Sequence, residues 1–412
     1  MKENQFTVID LFAGAGGLSE GFHRAGFEVV ACVEKDKYSC QTLRTRHIYW
    51  SLKHTGKEKI YQEYIKGDIT KEQYYSQISD NPVINIEISN ETLAETTNLI
   101  NIRMKETGIN SIDVFVGGPP CQAYSLVGRA RDPYNMEQDT RNILYRYYVE
   151  LLKKFRPKVF VFENVPGILS AGKGNLFLDV CTYFENAGYN IEYKLLDASD
   201  FMVLQKRKRV ILIGWKKKIR SSYPEFNKLS HNYTVRKIFE DLPSITAEEG
   251  IKNGSYIKKP TRYLIETGIR KEKDILTHHV TQKHIKSELA IYKMTINLWS
   301  KEKKRLLYTD IPSENRTHRN QYSFLDRYKV VADDISYSQA ITAHIAKDGR
   351  YYIHPDEKQL RSISIREAAR LQSFPDDYYF EGSITSKFTQ IGNAVPPLMA
   401  EVIAGKIKKM LK

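Results

Sequence analysis

The segment Gly117-Gly118-Pro119-Pro120-Cys121-Gln122 has the residue types of a reactive loop. A predicted strand ends in two glycines, two prolines stiffen the loop, and a cysteine outside any C-x-x-C pair follows. Most cysteines are buried as small apolar residues, whereas this one lies where ligands bind in open α/β sheets. Only a thiolate is nucleophilic, and Arg129 and Arg131 supply nearby positive charge. Judged locally, a nucleophilic and a structural role for Cys121 both stay open.

Two further segments place charged groups beside apolar runs. Glu163 lies in the run 158–165, at the sheet edge predicted for the cysteine, where burial would favour a protonated carboxylic acid. In the segment QKRKR, alternation places three residues on one face: Gln205, Arg207 and Arg209. Two arginines at such an edge suit an anionic or carbonyl-bearing substrate. A loop carboxylate and a solvated basic edge strand are the alternatives.

A glycine-rich turn, DLFAGAGGL (10–18), joins a predicted strand to a helix. Glycines let the backbone approach a ligand, and Glu34, 20 residues after Gly14, lies where a carboxylate binds ribose hydroxyls. The turn lacks G-K-[ST], and Ser19 replaces the third glycine of G-x-G-x-x-G, which disfavours NAD. Gly67-Asp68-Ile69 is predicted to follow a third strand, with Asp68 able to bind an adenine amino group and Ile69 to pack on the ring; an ordinary turn is the alternative.

The elements that must position these residues alternate between strand-like and helix-like runs. Apolar segments at 6–12, 27–34, 112–118, 158–165 and 210–215, separated by helical patterns, predict a parallel sheet in an α/β domain. The stretch from about 223 to 335 is polar, basic and rich in tyrosine, which indicates an inserted second domain. The α/β pattern returns at 362–374, where Ser364 and Glu367 form a predicted capping box. The segment 71–110 has no clear pattern.

The overall composition narrows the class of protein. The 412 residues carry a net charge of +14, and residues 216–329 hold 25 Lys/Arg against 13 Asp/Glu. A basic region of that kind favours a polyanion partner. Four cysteines without C-x-x-C spacing argue against structural zinc and disulfides, and for a reducing, cytosolic setting. The sequence contains no stretch of about 20 apolar residues, so it predicts no membrane span, and its N-terminus lacks a secretory pattern.

Several segments, in this order, resemble the DNA (cytosine-5)-methyltransferase family. They are DLFAGAGGLSEGF, VEKD, GDI, GGPPCQAYS, ENVPGIL, QKRKRVILIG, REAARLQSFPDDY and QIGNAVPPLMA. The resemblance extends from Asp10 to Ala400 with a gap at about 215–340. It implies a Rossmann-like α/β domain for S-adenosylmethionine, over residues 1–222 and 388–412, with a smaller target-recognition domain and hinge over 223–387.

The resemblance also implies roles for single residues, with S-adenosylmethionine as methyl donor, S-adenosylhomocysteine as product and no metal. The methionine part of the cofactor would be held by Phe12, Gly14, Gly16, Gly17 and Leu18. Glu34 would bind its ribose, Asp68 and Ile69 its adenine, and Asn393 and Val395 would return to the same pocket. In the catalytic set, Pro119 would steer an extruded cytosine, Cys121 would attack it, Glu163 would bind N3 and the amine, and Arg209 the O2 carbonyl, braced by Arg207 and Gln205.

Double-stranded DNA is the partner that the resemblance implies. The loop after Cys121 is expected to close over DNA through Ser125, Arg129 and Arg131. Candidate base readers form one polar cluster, for which phosphate contact is the alternative: Arg316, His318, Arg319, Asn320 and Gln321. We expect a cytoplasmic, monomeric enzyme of the stand-alone bacterial or phage type, paired with a restriction endonuclease.

The sequence departs from the family pattern at two positions, and its residues leave other functions open. Lys35 stands where the family often has an aromatic residue, and Tyr124 where phenylalanine is frequent. A tRNA cytosine-5 methyltransferase is one alternative, although its Cys-Phe-Thr signature is absent. A non-catalytic DNA-binding protein and an NAD-dependent dehydrogenase are the others.

Overall fold

The computed structural model describes residues 5–120, 143–247, 249–316 and 322–412. The strands in these ranges are β1 (Thr7–Leu11), β2 (Glu28–Glu34), β3 (Val83–Asn85), β4 (Val114–Gly117), β5 (Val159–Asn164), β6 (Tyr189–Asp197), β7 (Gln205–Lys206), β8 (Lys208–Lys216), β9 (Gly250–Gly254), β10 (Leu276–Val280) and β11 (Ser338–Gln339).

The α-helices in the same ranges are α1 (Gly17–Arg24), α2 (Lys37–His54), α3 (Glu58–Lys66), α4 (Lys71–Tyr75), α5 (Leu93–Thr107), α6 (Leu144–Phe155), α7 (Asn175–Asn186), α8 (Arg262–Glu266), α9 (Lys286–Glu302), α10 (Ile345–Asp348), α11 (Ile365–Leu371), α12 (Ile384–Asn393) and α13 (Pro397–Leu411). None of the helices in the described ranges combines the length and apolar character that crossing a bilayer requires.

A seven-stranded sheet forms the centre of the described structure, in the order β3-β2-β1-β4-β5-β8-β6. The five strands from β3 to β5 pair in parallel, which confirms the α/β prediction. The predicted strand at 210–215 differs, because β8 runs antiparallel to both β5 and β6. The chain reverses between β6 and β8 without a crossover helix, so β8 enters the sheet in the opposite direction.

Side chains of the central strands alternate between two apolar layers, as a strand period of two requires. Phe160 and Phe162 of β5 pack in a cluster with residues of α6 and α7. Val159 and Val161 face the opposite layer, which is built with residues of α1 and α13. The sheet is therefore covered on both faces, and its strand ends are the edge left for a ligand.

The third strand lies elsewhere than predicted. Gly67 ends α3 with φ +86°, so Asp68 and Ile69 follow a helix and not a strand. The strand that pairs with β2 on the side away from β1 is β3, within the segment that had no clear pattern. Three helices, α2 to α4, lie between β2 and β3. The motif Gly67-Asp68-Ile69 lies among these helices, between α3 and α4, and not directly after a strand.

The segment between β8 and α12 forms two apolar clusters. One, around Tyr292, Tyr308 and Tyr328, includes residues of α9. The other joins residues of α11 to Ala15 and Leu204, so this part of the predicted recognition domain packs on the sheet domain. The boundaries at 223 and 387 stay a prediction.

Helix α11 begins at the predicted capping box. The Ser364 Oγ accepts a hydrogen bond from the Glu367 amide at 3.2 Å, and the Glu367 carboxylate accepts one from the Ser364 amide at 2.7 Å. Pairing both groups satisfies two amides that a helix start leaves without partners. The capping-box prediction is confirmed.

A buried ion network then ties α11 to the segment before β9. The Arg370 guanidinium, with no exposed side-chain surface, lies 2.6 Å from the Asp241 and Asp376 carboxylates. It also donates to the Ile238 carbonyl at 2.6 Å. Burial alone would raise the pKa of Asp376, but Arg370 and Arg366 hold it below its usual value. Each buried charge in this network depends on its partner.

We expect the Arg370→Ala variant to lose about 3–5 kcal/mol of unfolding free energy, because it leaves two buried carboxylates without their main partner. Urea denaturation at pH 7 measures this loss. Lys259→Ala is the matched control, since its side chain is 91% exposed and should change stability by no more than about 0.5 kcal/mol. Equal midpoints for Arg370→Ala and the parent would contradict the role of the network.

Candidate active site

One large cavity, of about 1830 Å³, opens at the carboxyl ends of the parallel strands. The ends of β1, β2, β4 and β5 contribute to its lining, and so does the turn after α12. Ligands bind at this edge in open α/β sheets, where the strand order changes direction. The cavity has two ends, one at the glycine turn and one at Glu163.

At the glycine turn, the Glu34 carboxylate is held by three backbone amides. It accepts hydrogen bonds from Gly14 at 2.7 Å, Lys35 at 2.9 Å and Asp36 at 2.8 Å. These contacts join the ends of β1 and β2 and fix the carboxylate in the cavity wall. Glu34 therefore lies in the cavity wall at the end of β2, and its binding of ribose stays a prediction.

The three glycines of the turn have different surroundings. Gly14 lines the cavity with φ +53°, and a Cβ there would meet nothing within 4 Å. Gly16 precedes α1 with φ +80° and is absent from the lining, since it faces Leu43 and the Tyr378 hydroxyl. A Cβ on Gly17 would lie 2.1 Å from the Val395 carbonyl oxygen. The structure thus assigns open space to Gly14 and close packing to Gly16 and Gly17.

Four other residues predicted for the cofactor line the same end of the cavity: Phe12, Leu18, Asn393 and Val395. Asp68 and Ile69 do not, and Ile69 instead packs against the cluster formed with α2 to α4. Their predicted contact with adenine stays a prediction that this lining does not support. The positions after β3 take that place in the lining, namely Ile86, Glu87 and Ile88. The alternating run VINIEI (83–88) is the sequence feature that could have indicated them.

At the other end of the cavity, Glu163 and Arg209 form an ion pair. The Arg209 Nε lies 2.7 Å from the Glu163 Oε1, and both side chains are mostly buried. Their strands, β5 and β8, are neighbours, which brings the two groups together although 46 residues separate them. A Cβ on Gly118 would lie 2.4 Å from the Glu163 Oε2, so the carboxylate rests on this glycine. Pro119 follows it in the lining.

Gln205 and Arg207 share the predicted face but do not line the cavity. The Arg207 guanidinium donates to the carbonyls of Ile341, Gly392 and Ala394. The Gln205 side chain donates to the Leu371 carbonyl at 2.6 Å and accepts from the Ile341 amide at 2.9 Å. Both side chains hold backbone groups beside the cavity, and their predicted bracing role stays a prediction.

Charge in the cavity lining is divided between two walls. The ends of β2 and β3 contribute one cation, Lys35, which lies 2.7 Å from Glu87, and four carboxylates: Glu34, Asp36, Glu87 and Glu91. The segment after α9 contributes only cations among its charged lining residues: Arg327, Lys329, Lys347 and Arg350. One end of the cavity therefore suits a cationic ligand and the other a polyanion.

Several predicted site residues lie outside the described ranges. They are Cys121, Ser125, Arg129, Arg131, His318, Arg319, Asn320 and Gln321. Of the predicted base readers, the structure describes Arg316. Its guanidinium donates to the Ile311 carbonyl at 2.6 Å and the Thr309 carbonyl at 2.5 Å. These contacts support its own loop, and its base-reading role stays a prediction.

Comparison with known proteins gives one consistent result. The model of the family described as C-5 cytosine-specific DNA methylase matches residues 6–73 and 74–409. Type II methyltransferase M.Bpa9945I of Bacillus paralicheniformis is 38% identical over 441 residues, covering 98% of this chain and 99% of that protein. Type II methyltransferase M.XorII of Xanthomonas oryzae pv. oryzae is 30% identical over 417 residues, with coverage of 98% and 85%.

A similar solved structure is described as a DNA modification methyltransferase encoded within a prophage, from E. coli. It superposes with a TM-score of 0.66 at 24% identity, covering 99% of both chains. A Spodoptera frugiperda DNMT2 structure superposes with a TM-score of 0.54 at 13% identity, covering 99% of both chains. These two structural similarities support the fold alone.

We expect Gly17→Ala to destabilise the protein by about 1–3 kcal/mol, because the new methyl group would overlap the Val395 carbonyl. Gly405→Ala in α13 is the matched control, since its Cβ would meet nothing within 4 Å. Alanine there should stabilise the helix by about 0.5–1 kcal/mol. Chemical denaturation of both variants checks the opposite signs, and a stable Gly17→Ala protein would refute the close approach.

Proposed function

The chain belongs to the C-5 cytosine-specific DNA methylase family and is a DNA cytosine-5 methyltransferase; from this premise we propose its route of catalysis. It methylates a cytosine within a specific duplex sequence, with S-adenosylmethionine as donor and a covalent bond between Cys121 and C6 of an extruded base. The Glu163–Arg209 pair is the observation that carries this proposal, since it places an acid and a guanidinium in the cavity that also holds the glycine turn.

The glycine-turn end of the cavity has the features that S-adenosylmethionine needs. The backbone at Gly14 leaves open space, and Glu34 offers a fixed carboxylate toward ribose hydroxyls. The acidic lining contributed by β2 and β3 suits a positively charged sulfonium. When bound, the cofactor supplies an electrophilic methyl group. The same lining disfavours NAD, whose pyrophosphate is anionic.

The chain's own groups act on the pyrimidine. Cytosine C5 is a weak nucleophile, and bonding of the Cys121 thiolate to C6 makes C5 enamine-like. Glu163 acts in its protonated form, which donates a hydrogen bond or proton to N3 and stabilises the charge that develops on the ring, while Arg209 holds O2. C5 takes the methyl group as the methyl–sulfur bond of the donor breaks, which leaves S-adenosylhomocysteine. The C5 proton then passes to a base such as water, and N3 returns its proton to Glu163. The C6–S bond then breaks, which restores the thiolate and the aromatic ring.

The described cysteines support the assignment of the nucleophile to Cys121. Burial raises the pKa of the Cys40 thiol to about 12 and that of Cys181 to about 11, and the pKa of Cys32 rises further. Only a thiolate attacks carbon, so these three thiols are poor nucleophiles at neutral pH. These shifts favour Cys121 as the thiol that takes the nucleophilic role in our proposal.

Duplex DNA is the proposed substrate form, and in a duplex C6 can be reached only when the cytosine leaves the base stack. The cationic wall of the cavity agrees with a phosphate-bearing ligand. Recognition of a specific sequence by residues 223–387 belongs to the proposal, as do the monomeric state and the pairing with a restriction endonuclease. Bisulfite sequencing of DNA from a host that expresses the protein identifies the methylated sequence, and labelled methyl transfer to tRNA tests the RNA alternative.

Alkylation tests the nucleophile directly. At pH 8 we expect iodoacetamide to modify Cys121 in the native protein and to spare the other three thiols. A thiol with a pKa of about 11 is ionised in only about one molecule in a thousand at that pH. Peptide mass spectrometry measures the sites. Prior or equal modification of Cys181, the least buried of the three described thiols, would contradict the assignment.

The covalent route predicts a trapped complex with duplex DNA that carries 5-fluorocytosine at the target. Fluorine cannot leave C5 as a cation, so the Cys121–C6 bond should persist and survive denaturing electrophoresis. Cys121→Ala should form no such complex and transfer no methyl group, yet bind DNA as the parent does. A Cys121→Ser variant with full turnover would refute this route.

The Glu163→Gln variant tests the role of the carboxylic acid while the nucleophile Cys121 is unchanged. It retains a side chain of the same shape but loses the carboxylic acid, so kcat should fall about 100- to 1,000-fold while cofactor affinity stays unchanged. Single-turnover methylation and calorimetry measure the two quantities. A parent-like kcat for Glu163→Gln would remove Glu163 from the mechanism.

A further inference from the structure

An aromatic side chain stands on the cationic wall of the cavity without a place in the apolar core. Phe324 lines the cavity and is 53% exposed. In the described part of the chain, it belongs to none of the hydrophobic clusters, whereas the next residue, Leu325, packs against the one around Tyr308. A half-exposed phenylalanine at the mouth of a substrate cavity has an apolar face available to a ligand.

The backbone at Phe324 is held in an unfavourable conformation. Its φ of +53° lies in the left-handed region, which bulky residues rarely adopt. Glycine would fit this turn without strain, so packing gives no reason for a phenylalanine here. Strain that the surrounding structure maintains at a substrate cavity is a recognised indication of function.

A buried arginine fixes this turn. The Arg327 Nε donates to the Phe324 carbonyl at 3.0 Å, and its Nη2 donates to the Ser323 carbonyl at 2.7 Å. The same guanidinium stacks 3.9 Å from the centre of the Tyr308 ring, and Arg327 is only 3% exposed. The Tyr308 amide also donates to the Leu325 carbonyl at 2.6 Å. These contacts hold the backbone of residues 323–325, and with it the position of the Phe324 ring, in one conformation.

The surroundings of Phe324 indicate what the ring contacts. Lys329, Lys347 and Arg350 lie on the same wall of the cavity, and Lys347 is exposed. Cations bind phosphates, while an aromatic face on the same wall suits a base, since stacking on a base is favourable whatever its identity. A nucleic acid strand presents both groups, and DNA is the substrate class of the family.

We propose that Phe324 stacks on a base of the bound DNA that flanks the extruded cytosine, and that Arg327 positions the ring. This inference rests on the proposed function for the extruded base, but not on the covalent step. Stacking of this kind keeps the opened duplex ordered while the target base occupies the Glu163 end.

Three variants at position 324 test the stacking. Phe324→Ala should weaken duplex binding about tenfold to hundredfold, within the range that removal of one base-stacking aromatic residue gives. Phe324→Tyr should bind as the parent does. Phe324→Gly should bind DNA as poorly as alanine while its denaturation midpoint equals or exceeds that of the parent, because glycine relieves the positive φ.

The matched control is Tyr193→Ala, an aromatic residue on β6 that is 47% exposed and lies outside the cavity lining. It should leave DNA affinity unchanged, and all the variants should bind S-adenosylmethionine as the parent does. A structural role for Phe324 would instead lower the denaturation midpoint of the alanine and glycine variants. Parent-like DNA affinity of Phe324→Ala and Phe324→Gly would overturn the proposal.

Photocrosslinking locates the contact. Duplexes carry 5-iododeoxyuridine at each position beside the methylated cytosine, and the crosslinked peptide is identified by mass spectrometry. We expect a crosslink to Phe324 from a flanking position, retained in Phe324→Tyr and absent in Phe324→Leu. Crosslinks that avoid residue 324 at all flanking positions would overturn the stacking. If the parent transfers no methyl group to DNA, the proposed function fails, while affinity and crosslinks still decide this inference.

Discussion

The cavity depends on the buried guanidinium of Arg207. This side chain is 1% exposed, and it donates to three backbone carbonyls, those of Ile341, Gly392 and Ala394. An arginine offers five donors in a fixed planar arrangement, so it can hold several carbonyls at once where lysine could not. Through this one group, two segments remote in sequence are attached to the strand edge that also carries Arg209.

That attachment sets the distance between the two ends of the cavity. Gly392 approaches the 342–343 backbone so closely that a Cβ there would lie 2.3 Å from the Ala343 amide nitrogen. Val395, three residues later, contacts Gly17 at the start of α1 with the same closeness. The wall from the glycine turn to the cationic segment is thus one packed unit. The methyl group and the pyrimidine carbon have to be held about 3–3.5 Å apart, where a misplacement of about 1 Å is costly, and rigid packing supplies that precision.

The sequence predicted what is local and missed what depends on distant partners. The strand ends at the glycine turn, Glu34 and Glu163 could be predicted because apolar runs and turn residues mark them directly. The sequence predicted which strand face carries Arg207, but not which groups it contacts, since its partners lie 134 to 187 residues away. Asp68 was misplaced because a glycine with positive φ ends a helix as readily as a strand.

The count of charged residues along the sequence is limited in the same way, because it does not show which charges are paired in the fold. The excess of Lys and Arg in 216–329 predicted a polyanion partner, yet some of that charge is used inside the protein. Arg270 forms an ion pair with Asp241, both almost fully buried, and Arg327 holds the turn at Phe324. Lys347, outside the counted block, is exposed in the cavity lining. The attraction for DNA at the active site therefore depends on which cations face the cavity, and the fold decides this through pairs that no count along the chain can show.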